Sequence, residues 1–343
     1  MSVQNQVGHP DDRARAAAGI EALQRWYRRR TGRWRTAGWW NSANALTTVI
    51  GYTRCTGDET YLGVIERTFL AAGRKHPDFL VGFYDDNGWW GLAWVAAYDL
   101  TGEVRYLDAA RTIFNNLLTG WDDTCGGGVW WSTDRSYKNA ITNELFLTLA
   151  ARLHQRCAGS GEYVEWARRE WDWFRARGLI GADGLVNDGL DDSCQNNGGQ
   201  TWTYNQGVIL GGLAALHQIT GDAAYLRAGE LLADAALIRL TTPRQDARHG
   251  ILLEPGEYAT ARRDRDRPQF KGIFVRNLYD FYLESPSPAY REFIRDNARS
   301  IWASDRNSSN QFGLHWAGPF DRADASRQSA ALDVLNAAVA LAD

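Results

Sequence analysis

Four Asp-Asp pairs stand out among the side chains that can do chemistry: Asp11-Asp12, Asp85-Asp86, Asp122-Asp123 and Asp191-Asp192. Two neighbouring carboxyls, one ionised and one able to give up a proton, are what cleavage of a glycosidic bond requires. Asp11-Asp12 reads as a helix cap, and the pairs at 122–123 and 191–192 fall in long loops. Asp85-Asp86 differs, because it lies in Tyr84-Asp85-Asp86-Asn87-Gly88-Trp89-Trp90, where a loop runs into an apolar helix. There the positive helix end and a wall of aromatic rings meet both carboxyls. Such surroundings ionise one acid and raise the pKa of its neighbour through burial and like charge. An Asp at a helix start can also be a simple cap; the Trp neighbours favour the chemical reading here.

Tryptophan is over-supplied, at 16 copies. Trp-Trp pairs recur where loops enter helices, at Trp39-Trp40, Trp89-Trp90 and Trp130-Trp131. Indoles stack on the apolar C–H faces of sugar rings, and side-chain amides pair with sugar hydroxyls. Asn41, Asn44, Asn143, Asn187, Asn205 and Gln206 are available for the second task. A single Trp could equally fill a core, but the repeated pairs point to a cleft.

A repeated phrase shows what positions these groups. Thr56-Gly57-Asp58, Thr101-Gly102-Glu103 and Thr220-Gly221-Asp222 are each followed by a Tyr-Leu pair, with weaker copies near 161 and 288. Gly ends one helix and the acid opens the next, so each copy is a tight helix–turn–helix corner of a repeated unit. Periodicity then predicts twelve helices. One set lies near 11–30, 58–74, 103–118, 161–176, 222–238 and 288–303. The other, more apolar and hence buried, lies near 41–55, 87–100, 138–156, 203–219, 270–284 and 327–342. An apolar ring inside a polar one is an all-α (α/α)6 barrel, read as a single domain over 1–343. The long links 31–40, 75–86, 119–137, 177–202, 239–269 and 304–326 must all emerge at one end, where function concentrates.

Composition removes other classes. A net charge of −3 offers no basic surface for nucleic acid, and 12% aromatics argue against disorder. No apolar stretch is long enough for a bilayer span, and Met1 to Arg15 does not read as a signal peptide, so the chain as written is expected to be cytoplasmic. Cys55, Cys125, Cys157 and Cys194 lack zinc-site spacing, leaving open a single bridge such as Cys125–Cys194. The scattered histidines imply no metal. His249 and His315, in long loops, are the candidates for proton shuttling in a sugar epimerase or isomerase on the same barrel.

The segment 84–90, continued by Leu92-Ala93-Trp94, resembles the catalytic segment of glycoside hydrolase family 76, the endo-α-1,6-mannanases. Cys125-Gly126-Gly127-Gly128-Val129-Trp130-Trp131, Asn143-Glu144-Leu145, Val186-Asn187-Asp188-Gly189-Leu190, Thr203-Tyr204-Asn205-Gln206-Gly207 and Gln269-Phe270-Lys271-Gly272 resemble later family segments, so the likeness spans roughly 35 to 340. It implies an (α/α)6 barrel hydrolysing α-1,6-linked mannan with retention of configuration. Asp85 would be the nucleophile and Asp86 the acid/base. Loop position and resemblance together nominate Trp39, Trp40, Trp89, Trp130 and Trp202 as stacking platforms. Asn44, Asn143, Asp188, Tyr204, Asn205, Gln206 and Lys271 are nominated as hydroxyl partners. The expected protein is a monomer with a mannan or manno-oligosaccharide substrate, no cofactor, and no nucleic-acid or membrane partner. Relatives commonly work outside the cell, and some are thought to transfer glycan rather than hydrolyse it. A catalytically silent mannan-binding protein is the reading from another class.

Overall fold

The computed structural model describes residues 10–157, 159, 161–243, 250–259 and 264–342. Its helices alternate between two concentric rings. The inner ring comprises α2 (Trp39–Thr56), α4 (Tyr84–Thr101), α6 (Ala140–His154), α8 (Thr203–Thr220), α10 (Arg267–Glu284) and α12 (Ala325–Ala340). Each packs on the next and α12 returns to α2, which closes the barrel. The outer ring comprises α1 (Pro10–Gln24), α3 (Leu62–Lys75), α5 (Val104–Leu118), α7 (Gly161–Ala176), α9 (Ala223–Arg239) and α11 (Pro288–Ser304). The expected (α/α)6 barrel is thus the architecture found. Among the described residues, no helix is long and apolar enough to cross a membrane.

The Thr-Gly-Asp corners work as their residues dictate. Gly57, Gly102 and Gly221 adopt left-handed backbone with φ of 72°, 72° and 70°, and each amide closes on the carbonyl four residues earlier at 2.8 Å. Only glycine takes that conformation without strain. Asp222 then caps α9 by accepting from the Ala224 amide at 2.8 Å.

One helix is shorter than periodicity predicts. α1 stops at Gln24, and the chain turns back in a two-stranded hairpin, β1 (Tyr27–Arg28) against β2 (Arg33–Trp34). Trp26 and Trp34 are buried by this turn, and the Tyr27 and Trp34 rings lie 4.9 Å apart. Burial of those rings outweighs the helical preference of the arginine run between them.

Small residues let the inner helices approach. A methyl group at Gly272 would sit 2.4 Å from the Cα of Ala330, where α10 meets α12 backbone to backbone. Gly272→Ala is therefore expected to cost about 2–3 kcal/mol through overpacking, read as a lowered thermal midpoint. An unchanged midpoint would show that the α10–α12 contact can spread without penalty.

At the long-loop end a disulfide joins Cys125, in the loop before α6, to Cys194, in the loop before α8. It closes a stretch with a sequence separation of 69, so chain-entropy arguments give it up to about 4 kcal/mol. Reduction, or the double substitution to Ser, should lower the thermal midpoint by several degrees while leaving the far-ultraviolet helix signal intact below the transition.

Candidate active site

The Tyr84-Asp85-Asp86 turn is held from both sides. The Tyr84 amide donates to the Trp131 carbonyl at 2.8 Å, and Phe83 bridges to Ser132. One helical turn later, the Asn87 side chain accepts from the Val81 amide at 2.8 Å and donates to the Val81 carbonyl at 3.0 Å. The loop into α4 cannot move without breaking this pair.

The same device recurs around the ring, always three residues after the first residue of an inner helix. On α6, Asn143 accepts from the Val129 amide at 2.6 Å and donates to its carbonyl at 3.1 Å. On α8, Gln206 does the same with Val186 at 2.7 and 2.8 Å. On α12, Gln328 accepts from the Phe312 amide at 3.0 Å and donates to the Asn310 and Gly19 carbonyls. Each supplies a partner to backbone polar groups that burial would otherwise leave unpaired.

Held in this way, the loops surround a cavity of about 250 Å³ at the N-terminal ends of the inner helices. Four rings from four inner helices line it in a closed stack. Tyr204 lies 3.9 Å from Phe270 and 6.4 Å from Trp89, while Trp40 lies 5.6 Å from Trp89 and 6.1 Å from Phe270. Trp131 adds a further aromatic wall, and Asp85, Asp188 and Asp266 are the acids of the lining. Tyr137 and Asn139 complete the polar side; the Tyr137 hydroxyl donates to Asp188 at 2.6 Å.

Burial dominates the electrostatics. It pushes Asp85 up to about 7, against the pull of the Trp131 indole N–H and of nearby backbone amides. Asp86 is pushed higher, to about 8, by burial and then by the charges of Asp85 and Asp266. Among the described residues the cavity lining contains no Lys or Arg to offset the negative charge. The other acid pairs are engaged differently. Burial opposes ionisation of Asp122, but Trp130, Lys138 and the Thr124 amide outweigh it and hold the carboxyl well below its ordinary range. Asp191 accepts from the amides of Ser193 and Gln195 in an exposed turn.

Of the expected sugar contacts, Trp40, Trp89, Asp188 and Tyr204 line the cavity. The others stand elsewhere, for identifiable reasons. Trp39 faces outward, packing on His76 at 4.2 Å and Trp90 at 4.7 Å. Trp130 donates to Asp122 at 2.7 Å and lies under the Lys138 ammonium, bracing its own loop. Trp202 is backed by Phe270 and covered by the Arg267 guanidinium. Asn143 and Gln206 are the loop clamps described above. Lys271 is buried, paired with Glu257 at 2.8 Å and donating to the Leu252 and Leu314 carbonyls. Asn205 is fully buried beside the site, with neither side-chain polar atom partnered.

Asn44 lines neither this cavity nor a second, larger one of about 470 Å³ on the far side of Trp89, towards the short turns. Asn44 accepts at 2.7 Å from Arg276, which lines the larger cavity and also pairs with Asp333 at 2.8 Å. That chamber is lined by mutually satisfied ion pairs and holds no adjacent carboxyls. His315 stacks on Tyr258 at 4.3 Å, outside the acid cavity, and His249 lies outside the described residues.

The residues that sequence reasoning did not single out are Tyr137, Asn139, Phe270 and Asp266; of the Trp130-Trp131 pair read into the cleft, Trp130 was nominated and Trp131 is the one that lines it. Asp266 had a signal. It directly precedes Arg267-Pro268, and Pro in the first helical turn marks a helix start, which places Asp266 at the cleft end of α10.

An aromatic-walled acid cavity at the loop end of an (α/α)6 barrel is the equipment of an enzyme that cuts glycosidic bonds. The chain belongs to glycosyl hydrolase family 76, whose model matches residues 14–343. The GH76A α-1,6-mannanase of Salegentibacter sp. HEL1_6 superposes with a TM-score of 0.84 at 26% identity, covering 96% of this chain and 100% of that one. An inactive variant of that enzyme, with two consecutive aspartates replaced by alanine, is in complex with α-1,6-mannotetrose; its TM-score is 0.84 at 25% identity, over 96% of this chain and 99% of that one. The mannan endo-1,6-alpha-mannosidase DCW1 of Saccharomyces cerevisiae is 29% identical over 263 residues, 70% of this chain and 57% of its own. A relative from Schizosaccharomyces pombe is 31% identical over 264 residues. The chain spans under three fifths of the length of these two curated yeast relatives.

The raised pKa of Asp86 has a consequence for stability. The folded protein keeps this proton to higher pH than the unfolded chain does. Between the two pKa values the unfolded state therefore binds fewer protons, and stability falls as pH rises. Asp86→Asn is expected to raise the thermal midpoint, with a gain that grows from pH 4 to pH 8. A gain that is flat over this range would show that burial does not bear on the Asp86 charge.

Proposed function

We propose that this protein is a retaining endo-α-1,6-mannanase, working as a single domain on the backbone of α-1,6-linked mannan. The observation that carries the reading is the Asp85-Asp86 pair on the first turn of α4, beside an aromatic-walled cavity. Similarity to a mannanase whose inactive variant lacks two consecutive aspartates supports it.

The chemistry follows from the environment of each acid. Burial raises both acids and each charge opposes ionisation of the other, so the pair gives up its protons in two steps, and the singly ionised form holds one carboxylate and one proton donor. The Asp85 carboxylate attacks the anomeric carbon as the bond to the glycosidic oxygen breaks. That oxygen takes the bonding electrons and the proton of Asp86, leaving as a sugar hydroxyl. Water then attacks the same carbon, Asp86 accepts the water proton, and the bond to Asp85 breaks to restore both carboxyls. Consecutive residues suit the short span of a retaining pair, about 5 Å, better than the roughly 6.5–9.5 Å of an inverting pair. Trp40, Trp89, Tyr204 and Phe270 supply apolar faces for sugar rings, and Asp188 with Tyr137 supplies hydroxyl partners.

Incubation with linear α-1,6-mannan should yield short manno-oligosaccharides, with the α-anomer formed first by NMR. Asp85→Asn should lower kcat by about a thousandfold or more, and Asp86→Asn by about a hundredfold or more. A parent that releases no product, or a variant that keeps full activity, would overturn the assignment. Longer products in place of shorter ones would identify glycan transfer, and a β-anomer formed first would remove Asp85 as nucleophile.

A further inference from the structure

One acid of the cavity has no part in the steps above. Asp266 occupies the N-cap position of α10, yet its side chain does not cap the helix. Asp264 takes over that task, its Oδ1 accepting from the amides of Asp266 and Arg267 at 2.9 and 3.2 Å. The Asp266 carboxylate is thereby released into the cleft, where Oδ1 accepts from Trp40 Nε1 at 2.9 Å.

Acids outnumber bases among the titratable groups around it. Asp85 and Asp86 face it from α4, Tyr204 from α8, and Asp188 with Tyr137 from the neighbouring loops. On its own segment, Asp264 adds negative charge and Arg265 opposes it. Arg267, the nearest basic residue towards the helix, is spent on the Gly256 carbonyl at 2.7 Å, on Asp264 at 3.4 Å and on the face of Trp202. Among the described residues no salt bridge reaches Asp266. Asp266 keeps access to solvent at the cleft mouth, and a neutral amide would satisfy the Trp40 indole equally well, so the hydrogen bond alone does not call for a carboxylate here. A glycosyl transition state, which is oxocarbenium-like and positive at the anomeric centre, is what such a charge would stabilise.

We propose that Asp266 is a third carboxylate of the reaction centre, accepting hydroxyls of the sugar whose bond is cut and keeping the proton on Asp86 until the leaving oxygen needs it. The proposal rests on the mannanase reading and deepens it. It also sets the substrate class, since a cavity lined by Asp85, Asp188 and Asp266, with Asp86 beside them and no Lys or Arg among the described lining residues, takes neutral sugars and rejects those carrying phosphate or carboxylate.

Two variants separate charge from support. Asp266→Asn keeps an acceptor for Trp40 but loses the charge; Trp40→Phe keeps the charge but loses the hydrogen bond. With α-1,6-mannotetraose as substrate, Asp266→Asn is expected to lower kcat about a hundredfold with KM within about threefold. Because the lost charge had favoured the protonated form of Asp86, the alkaline limb of the pH profile moves to lower pH. Trp40→Phe should leave that limb in place. Parent kcat and an unmoved limb in Asp266→Asn would overturn the proposal, as would equal losses in both variants with no movement of the limb. Aspartate-carboxyl ¹³C titration of parent and Asp266→Asn, recorded without substrate, supplies an independent readout. If the parent cleaves no mannan, the mannanase reading fails, while an unmoved Asp86 titration counts against Asp266 alone.

Discussion

The site depends on a constraint that is not itself chemical: a long loop entering a buried helix must find partners for its backbone polar groups. Asn87, Asn143, Gln206 and Gln328 meet that need at four of the six inner helices, each from the same position on the first turn. The turns that clamp the loops are also the turns that carry Asp85, Asp86 and Tyr204. Loop anchoring and active-site placement are therefore one construction, and the cavity is as rigid as the ring beneath it. The disulfide between the loops before α6 and α8 ties the two segments that contribute Trp131, Tyr137 and Asp188.

That rigidity carries a charge the protein would be more stable without. Asp85, Asp86, Asp188 and Asp266 crowd one end of the barrel with no Lys or Arg among the described residues of the cavity lining. Some buried acids elsewhere are paired, as with Asp333 and Arg276 or Glu257 and Lys271, whereas Glu144 and Glu170 are fully buried with neither carboxylate oxygen partnered. An unpaired acid that lines a cavity is one whose raised pKa chemistry can use.

The helical architecture was legible because its signals are local and repeated. Glycine at the left-handed corner and an acid after it need no tertiary knowledge, and the two grades of apolarity separate inner from outer ring. The exception, the early end of α1, came from a distant cause: Trp26 and Trp34 gain burial by folding back. The Asp85-Asp86 pair was legible because its neighbours are aromatic and its helix is buried. Which member of a Trp-Trp pair faces the bore was not. Adjacent residues on a helix point about 100° apart, so Trp40 turns inward and Trp39 outward, and nothing local decides it. Asn143 and Gln206 were misread as sugar ligands because amides that clamp a loop and amides that bind a hydroxyl are the same side chains. Their shared offset from the helix start is the regularity that distinguishes the clamps.

The ring closure has a consequence for how the molecule is presented to its surroundings. Outer helices rise from the short-turn end and inner helices descend to it. α1 therefore starts, and α12 finishes, on the face opposite the cleft. A tether, a partner domain or a solid support joined beyond either helix approaches from behind, leaving the mouth directed outward.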